Sequence, residues 1–351
     1  MIPTDLAGEA FWLPLIFMGL MGLSILVYVI LDGYDLGVGI LLPTAANVDE
    51  RDLMIASIGP FWDANETWLV LGVGILLVAF PLAHGVILTN LYLPVVLMLV
   101  GLILRGVAFE FRVKARDPHK HLWDRAFFAG SLLAAVSQGL MLGQLITGFS
   151  QTLWAWLFAL AIGIGLAGGY VLLGAGWLIL KTEDALQQRA VHWGRRALYF
   201  TAAGIAAVSI ATPMISPQIF AKWFSLETFF ALLPIPLMSA GLVLLLAIFY
   251  HRLAEDVRRA NLLGLARWSW APFAGSVALF LLAFLGLAYS LFPWLVLDRI
   301  TVWDAASAPE SLKIILWGAL LVVPTIIGYT AFVYRVFWGK ASVLSYGAPG
   351  T

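Results

Sequence analysis

Residues 11–40 read FWLPLIFMGLMGLSILVYVILDGYDLGVGI, an apolar run that ends in two aspartates. A bilayer core of about 30 Å takes roughly 20 residues of helix, and this run reaches that length before Asp32 appears. A second stretch, GPFWDANETW at 59–68, sets Asp63 and Glu66 at the start of the next apolar run. A carboxylate at mid-membrane costs about 2.5 to 3.5 kcal/mol on insertion scales, so four of them must be sheltered, paired or protonated. These acids are the leading site hypothesis.

The composition is that of an integral membrane protein. Of 351 residues, 62% are hydrophobic and 11% charged, against about 45–50% and about 25% in soluble domains. Twenty Lys plus Arg balance twenty Asp plus Glu, which gives no reason to invoke nucleic acid as a partner. The absence of cysteine removes disulfides, thiolate metal sites and iron–sulfur clusters. MIPTDLAGEA at the N-terminus carries two acids and no Lys or Arg, the wrong start for a cleaved signal, so the first apolar run is expected to be a retained span.

Nine stretches are long enough to span, near 11–40, 56–80, 82–110, 123–149, 152–180, 192–214, 226–250, 267–292 and 311–337. The expected fold is therefore all-α, a single polytopic domain over 1–351 with its helices in bundles. Short connections near Pro81 and Ser150 predict antiparallel hairpins. Alternate connections sort the cations. One set collects Arg51, Arg112, Lys114, Arg116, Lys120, Arg125, Lys181, Arg189, Arg195, Arg196, Arg252, Arg258, Arg259, Arg267, Arg335 and Lys340. The other holds Lys222, Arg299 and Lys313, and Arg105 stays inside the third span. Cytoplasmic segments carry the excess of Lys and Arg, so the N-terminus is expected in the periplasm and the C-terminus in the cytoplasm.

Asp32 and Asp35 are three residues apart and share a helix face, as do Asp63 and Glu66. Both pairs flank the same connection, around 41–55, at the basic end. Gly33 and Gly37, with Gly39 beyond, form a strip of small residues that lets another helix approach closely and exclude lipid. Carboxyl groups in such a site, bridged by Asn65, Thr67 and water, are the parts of a proton relay. The same residues can instead cap and glue helices, with Trp62 and Trp68 as packing. Arg105, inside the third span, requires a carboxylate, and Glu110, Asp63 and Glu66 are its candidates. An arginine beside relay acids would hold one of them ionised.

The five histidines, His84, His119, His121, His192 and His251, fall in loops or at span ends, poor positions for haem ligation within a bilayer. No metal site is expected. Gly37-Val-Gly39 lacks the third glycine and the preceding strand of a dinucleotide fingerprint.

DGYDLGVG at 32–39, GPFWDANETW at 59–68, RGVAFEFR at 105–112, and TVWDAASAPESL at 301–312 with VPTIIGYTAFVYRVFWGK at 323–340 together resemble subunit II of the cytochrome bd-type quinol oxidases, the cyanide-insensitive branch included. The match runs in order along most of the chain. The resemblance implies a complex in the bacterial cytoplasmic membrane that oxidises quinol and reduces dioxygen to water. It also implies that haem b and haem d sit on a partner, subunit I, and that subunit II binds none. In that family the aspartate matching Asp63 is implicated in proton uptake from the cytoplasm, with Asp35 a second carry-over. Glu66 is then a supporting member, and Asp32, Arg105 and Glu110 are lesser candidates. Some members hold a structural quinone in subunit II, for which Trp62 is the candidate contact, and a small single-span accessory subunit is a further candidate partner. Tyr34 stands where Phe is commoner, and Ala64 and Thr67 where Gly and Val are frequent; none of these removes an acid. The residues by themselves leave open a stand-alone proton-coupled transporter using the same acids, or a scaffold in which they only join helices.

Overall fold

The structure is a computed structural model that describes residue 6 and residues 8–115, 117–215 and 217–341; Arg116 and both chain ends, counted above, lie outside the described residues. The helices are α1 (Glu9–Leu41), α2 (Val48–Ile58), α3 (Trp62–Ala79), α4 (Pro81–Asn90), α5 (Tyr92–Lys114), α6 (Asp117–Ile146), α7 (Leu153–Lys181) and α8 (Asp184–Ile215). They continue with α9 (Pro217–Phe224), α10 (Leu226–Leu232), α11 (Pro234–Arg258), α12 (Leu262–Trp268), α13 (Ala271–Leu291), α14 (Val302–Ala305) and α15 (Pro309–Val336). Between α13 and α14, β1 (Trp294–Val296) pairs antiparallel with β2 (Ile300–Thr301). Among the described residues nine helices are long and apolar enough to cross a membrane: α1, α3, α5, α6, α7, α8, α11, α13 and α15.

Several boundaries differ from expectation, each for a local reason. The second span starts at Trp62 instead of 56, because α2 ends at Ile58 and Pro60 follows, which has no N–H to continue the helical ladder. The third span, expected from 82, begins at Tyr92. Pro81 opens a separate ten-residue helix, α4, which ends where Leu91 leaves helical geometry at φ −97°, ψ 12°. The expected tight hairpin at Pro81 is thus a turn built on a short helix. The sixth span starts at Asp184 instead of 192. Near Ser150 the hairpin is tight: Gly148 and Phe149 turn at positive φ, and the Thr152 hydroxyl accepts from the Ala155 amide at 3.2 Å to start α7.

α1 packs against α3, α6 and α7, α5 against α6, and α8, α11 and α13 gather on the far side of α7. Residues 32–39 of α1 are buried without a break, so this end of the helix is enclosed on every face. Glycine makes the enclosure close. A Cβ on Gly37 would lie 1.8 Å from the Tyr170 carbonyl oxygen, and one on Gly174 2.5 Å from the Val38 nitrogen; α1 and α7 therefore touch backbone to backbone.

Long-range contacts tie the connections together at two ends. At one end Arg112 meets Asp52 and Asp124, Arg189 meets Glu50, and Lys181 reaches Phe337. At the other, Trp303 Nε1 donates to Phe11 O at 3.1 Å, the Ser307 amide to Ala79 O at 2.9 Å, and Lys222 Nζ to Phe292 O at 2.7 Å. The cation-rich connections fall together at the first end.

Replacing Gly37 by Ala forces a methyl group into the Tyr170 carbonyl, a cost of about 1–3 kcal/mol or more. The variant is expected to lower the melting temperature and yield of the purified protein, whereas Gly74→Ala, with nothing within 4 Å of its Cβ, should not. Equal behaviour of the two would contradict the close crossing.

Candidate functional site

The enclosed end of α1 carries Asp32 and Asp35, one helical turn apart. α3 enters beside it, and its successive residues point differently: Asn65 is fully buried toward α1, whereas Glu66 is partly exposed. α5 supplies Arg105, 1% exposed. Its Nη1 lies 2.7 Å from Asp32 Oδ1, and its Nη2 donates to Glu66 Oε1. One guanidinium thus bridges a buried and a half-buried carboxylate, the planar fork for which arginine is suited. The Asp32 contact is a charge pairing without aligned N–H: both Asp32 oxygens and Arg105 Nη1 and Nε lack a hydrogen-bond partner, as does Asp35 Oδ1. The Trp62 ring, 6.0 Å from the Arg105 guanidinium carbon and 5.2 Å from the Phe109 ring, covers the pair.

Asp35 belongs to a neighbouring network. Asn65 Nδ2 is 2.7 Å from Asp35 Oδ2, 3.1 Å from Tyr34 Oη and 3.3 Å from Leu31 O. An amide has two N–H bonds, so the three acceptors share them. The Tyr34 and Tyr334 hydroxyls are 2.6 Å apart, and Tyr334 Oη donates to Asn65 Oδ1 at 3.2 Å. Tyr34 also stacks on Trp177 with centroids 4.2 Å apart. On the other side of Asp32, Gln138 Nε2 donates to Tyr28 Oη at 2.8 Å and Tyr170 Oη donates to Gln138 Oε1 at 2.5 Å. One polar branch therefore leaves Asp35 toward α15, and a second hydrogen-bonded group, Tyr28, Gln138 and Tyr170, lies beside the cluster between α1, α6 and α7.

Of the residues singled out in the sequence, Asp32, Asp35, Glu66 and Arg105 converge. Asp63 does not join them: it lies exposed in the first turn of α3, where a carboxylate also suits the helix dipole. Glu110 is exposed and forms no ion pair among the described residues; five residues beyond Arg105, it faces another side of α5. Arg105 takes Glu66 from its expected partners, and its second partner is Asp32, which was not among them. Trp62 packs on Phe109 and Arg105. Tyr28 was not singled out, although its place four residues before Asp32 on the same face was a signal that could have found it. Tyr334 carried no local signal, its partners lying 269 and 300 residues away.

No histidine among the described residues is placed as a buried haem ligand. His119, His121, His192 and His251 are exposed and His84 is half-buried in α4, so none stands deep in the bundle where an axial ligand is needed. Among the described residues no three His, Asp or Glu converge as a metal site.

The chain is similar to known proteins. The chain is 27% identical to the cytochrome bd-I ubiquinol oxidase subunit 2 of Escherichia coli K12, covering 97% of this chain and 96% of that one. It is 28% identical to the cytochrome bd ubiquinol oxidase subunit 2 of Bacillus subtilis 168, over 89% and 92%. The solved bd oxidase of Geobacillus thermodenitrificans contains a chain of similar fold, with TM-score 0.72 at 16% identity, covering 93% of this chain and 99% of that one. The family described as cytochrome bd terminal oxidase subunit II matches residues 13–337, and the chain belongs to that family, a membrane component of an oxidoreductase complex.

Proposed function

We propose that this chain is the non-haem subunit II of a bd-type quinol oxidase in the bacterial cytoplasmic membrane, and that its acid cluster delivers protons taken from the cytoplasm. The observation that carries this reading is the inward gradient of burial along Asp63, Glu66 and Asp32: exposed, partly exposed and fully buried. Asp63 and Glu66 are three residues apart on α3, and Arg105 links Glu66 to Asp32. Asp32, Asp35 and Glu66 lie near one guanidinium, which pairs with Asp32 and Glu66 while Asp35 is held by Asn65. Full ionisation would leave two uncompensated negative charges in apolar surroundings, and each proton taken up removes one.

In this reading Asp63 receives the proton at the basic end, Glu66 passes it inward, and Arg105 keeps the acceptor carboxylate ionised until it arrives. Asp35, tied to Asn65, supports the same end of the route. Haem groups on subunit I would supply the reduction of dioxygen by quinol. This chain's remaining task is to hold its fold against that partner, with a small single-span subunit as a further candidate member. Trp62, packed on Arg105 and Phe109 and partly exposed, is the candidate contact for a structural quinone. The stand-alone carrier is set aside, since the chain aligns over nearly its whole length with oxidase subunits.

In the purified native complex, Glu66→Gln and Asp63→Asn should each lower quinol-driven oxygen uptake per haem by about tenfold or more, the scale of a lost proton-transfer group. Haem content should be retained. Unchanged turnover per haem with reduced yield would make the acids scaffold only. The charge sorting predicts a cytoplasmic C-terminus, so a reporter active only in the cytoplasm, fused after Thr351, should be active; a silent one, with a periplasmic reporter active instead, would reverse the orientation.

A further inference from the structure

α15 is weakly held by packing: along its length Leu312, Val323 and Val333 are its buried residues. Its far end is fixed by a reciprocal pair of lysines. Lys181, the last residue of α7 and 4% exposed, donates from Nζ to Phe337 O at 2.7 Å and to Gly339 O at 2.9 Å. Lys340 returns the contact, donating to Thr182 O at 2.9 Å, just past the end of α7. Each ammonium therefore sits at the C-terminus of the other's helix, where carbonyls lack intrahelical partners and partial negative charge collects. The Phe61 and Trp177 rings, 5.3 and 5.2 Å from Lys181 Nζ, enclose it further, an arrangement that strengthens with desolvation.

The clamp lies about one turn beyond Tyr334. The Tyr334 ring packs against Phe61, with centroids 4.6 Å apart, and Phe61 in turn meets Phe337 at 6.1 Å. The same Phe61 thus touches the clamp lysine, the clamped segment and the tyrosine. Tyr334 is itself partly exposed on α15 while its hydroxyl donates inward to Asn65.

We propose that Lys181 and Lys340 are positioning residues: by locking the end of α15 to the end of α7 they seat the Tyr334 hydroxyl on Asn65 and so complete the hydrogen-bonded branch that leads from the α15 surface to Asp35. The consequence for turnover rests on the proton-route reading above; the clamp itself does not. Without it, α15 would keep its apolar position in the membrane while its end moved away from α1 and α3, and Asn65 would lose the donor on its carbonyl oxygen.

The chain has no cysteine, so Val333→Cys places a single thiol at a buried position, 6% exposed, on the segment that the clamp holds. In the purified native complex carrying this change, Lys181→Met removes both hydrogen bonds and should raise the rate of maleimide labelling of this chain at least about tenfold, the scale of one charge-assisted hydrogen bond in an opening equilibrium. Lys181→Arg, which keeps donors for both carbonyls, should bring it back. With Val333 restored, Lys181→Met and Tyr334→Phe should each lower oxygen uptake and change its solvent isotope effect, and their combination should be no worse than either alone. Unchanged labelling overturns the clamp. Faster labelling with losses that add overturns the positioning role, because the lysine would then act apart from Tyr334. Faster labelling with a silent Tyr334→Phe also overturns that role, and it counts against the α15 branch of the route while leaving the clamp itself in place.

Discussion

A single guanidinium buried among apolar helices sets the terms for the rest of this protein. Arg105, 1% exposed, would be very costly in such surroundings without counter-charge, and Asp32, fully buried, equally so. Each makes the other tolerable, and neither can be moved without stranding a charge. The pair also needs a dry and narrow setting, which the chain provides through close helix crossings. Gly37 against Gly174, and Gly101 against Gly130, bring backbones together where any side chain would hold them apart. Trp62 then closes the remaining face of Arg105. The small-residue strip on α1 and the acids beside it are thus one feature, since the acids can be buried only where the helices pack that tightly.

The polar groups concentrate at one end of the bundle. There Arg112 is held by Asp52 and Asp124, with N–O separations of 2.6 and 2.5 Å, and Arg51 lies 3.7 Å from Asp124. Lys181 and Lys340 lock α7 to α15 at the same end. The opposite end is tied mainly by apolar packing of Leu13, Phe17, Phe80, Val302 and Trp303, with the Thr301–Asp304 capping box setting the short α14. The Thr301 hydroxyl and amide hold the Asp304 carboxyl below the usual range, as hydrogen bonds to a charged form do.

Much of the architecture was legible from hydropathy and charge, because a span declares itself over some twenty residues and a loop by its cations. The break at Pro81 was placed, but those at Gly59-Pro60 and Leu91 were not, since they depend on where one helix stops rather than on how apolar the stretch is. That Asp32, Asp35, Asp63 and Glu66 lie toward one end, with Arg105 near a carboxylate there, followed from their spacing and shared connection. Their ranking did not. Asp63 and Glu66 share a face by sequence, yet α3 is turned so that Glu66 meets Arg105 while Asp63 stays outside, and that rotation is set by packing against α1. Tyr334 meets Tyr34 across nearly the whole chain, and only assembly of the fold brings it there.

A double-mutant cycle on Arg105 and Asp32 tests most directly that this buried ion pair organises the site. In the purified native complex, Arg105→Met strands Asp32 and should destabilise by about 3–5 kcal/mol, seen as a lower melting temperature and yield at unchanged haem ratio. Adding Asp32→Asn should recover a substantial part of that loss, because the stranded charge is removed. Losses that simply add, with the double variant weaker than Arg105→Met alone, would contradict the pairing and the organisation built on it.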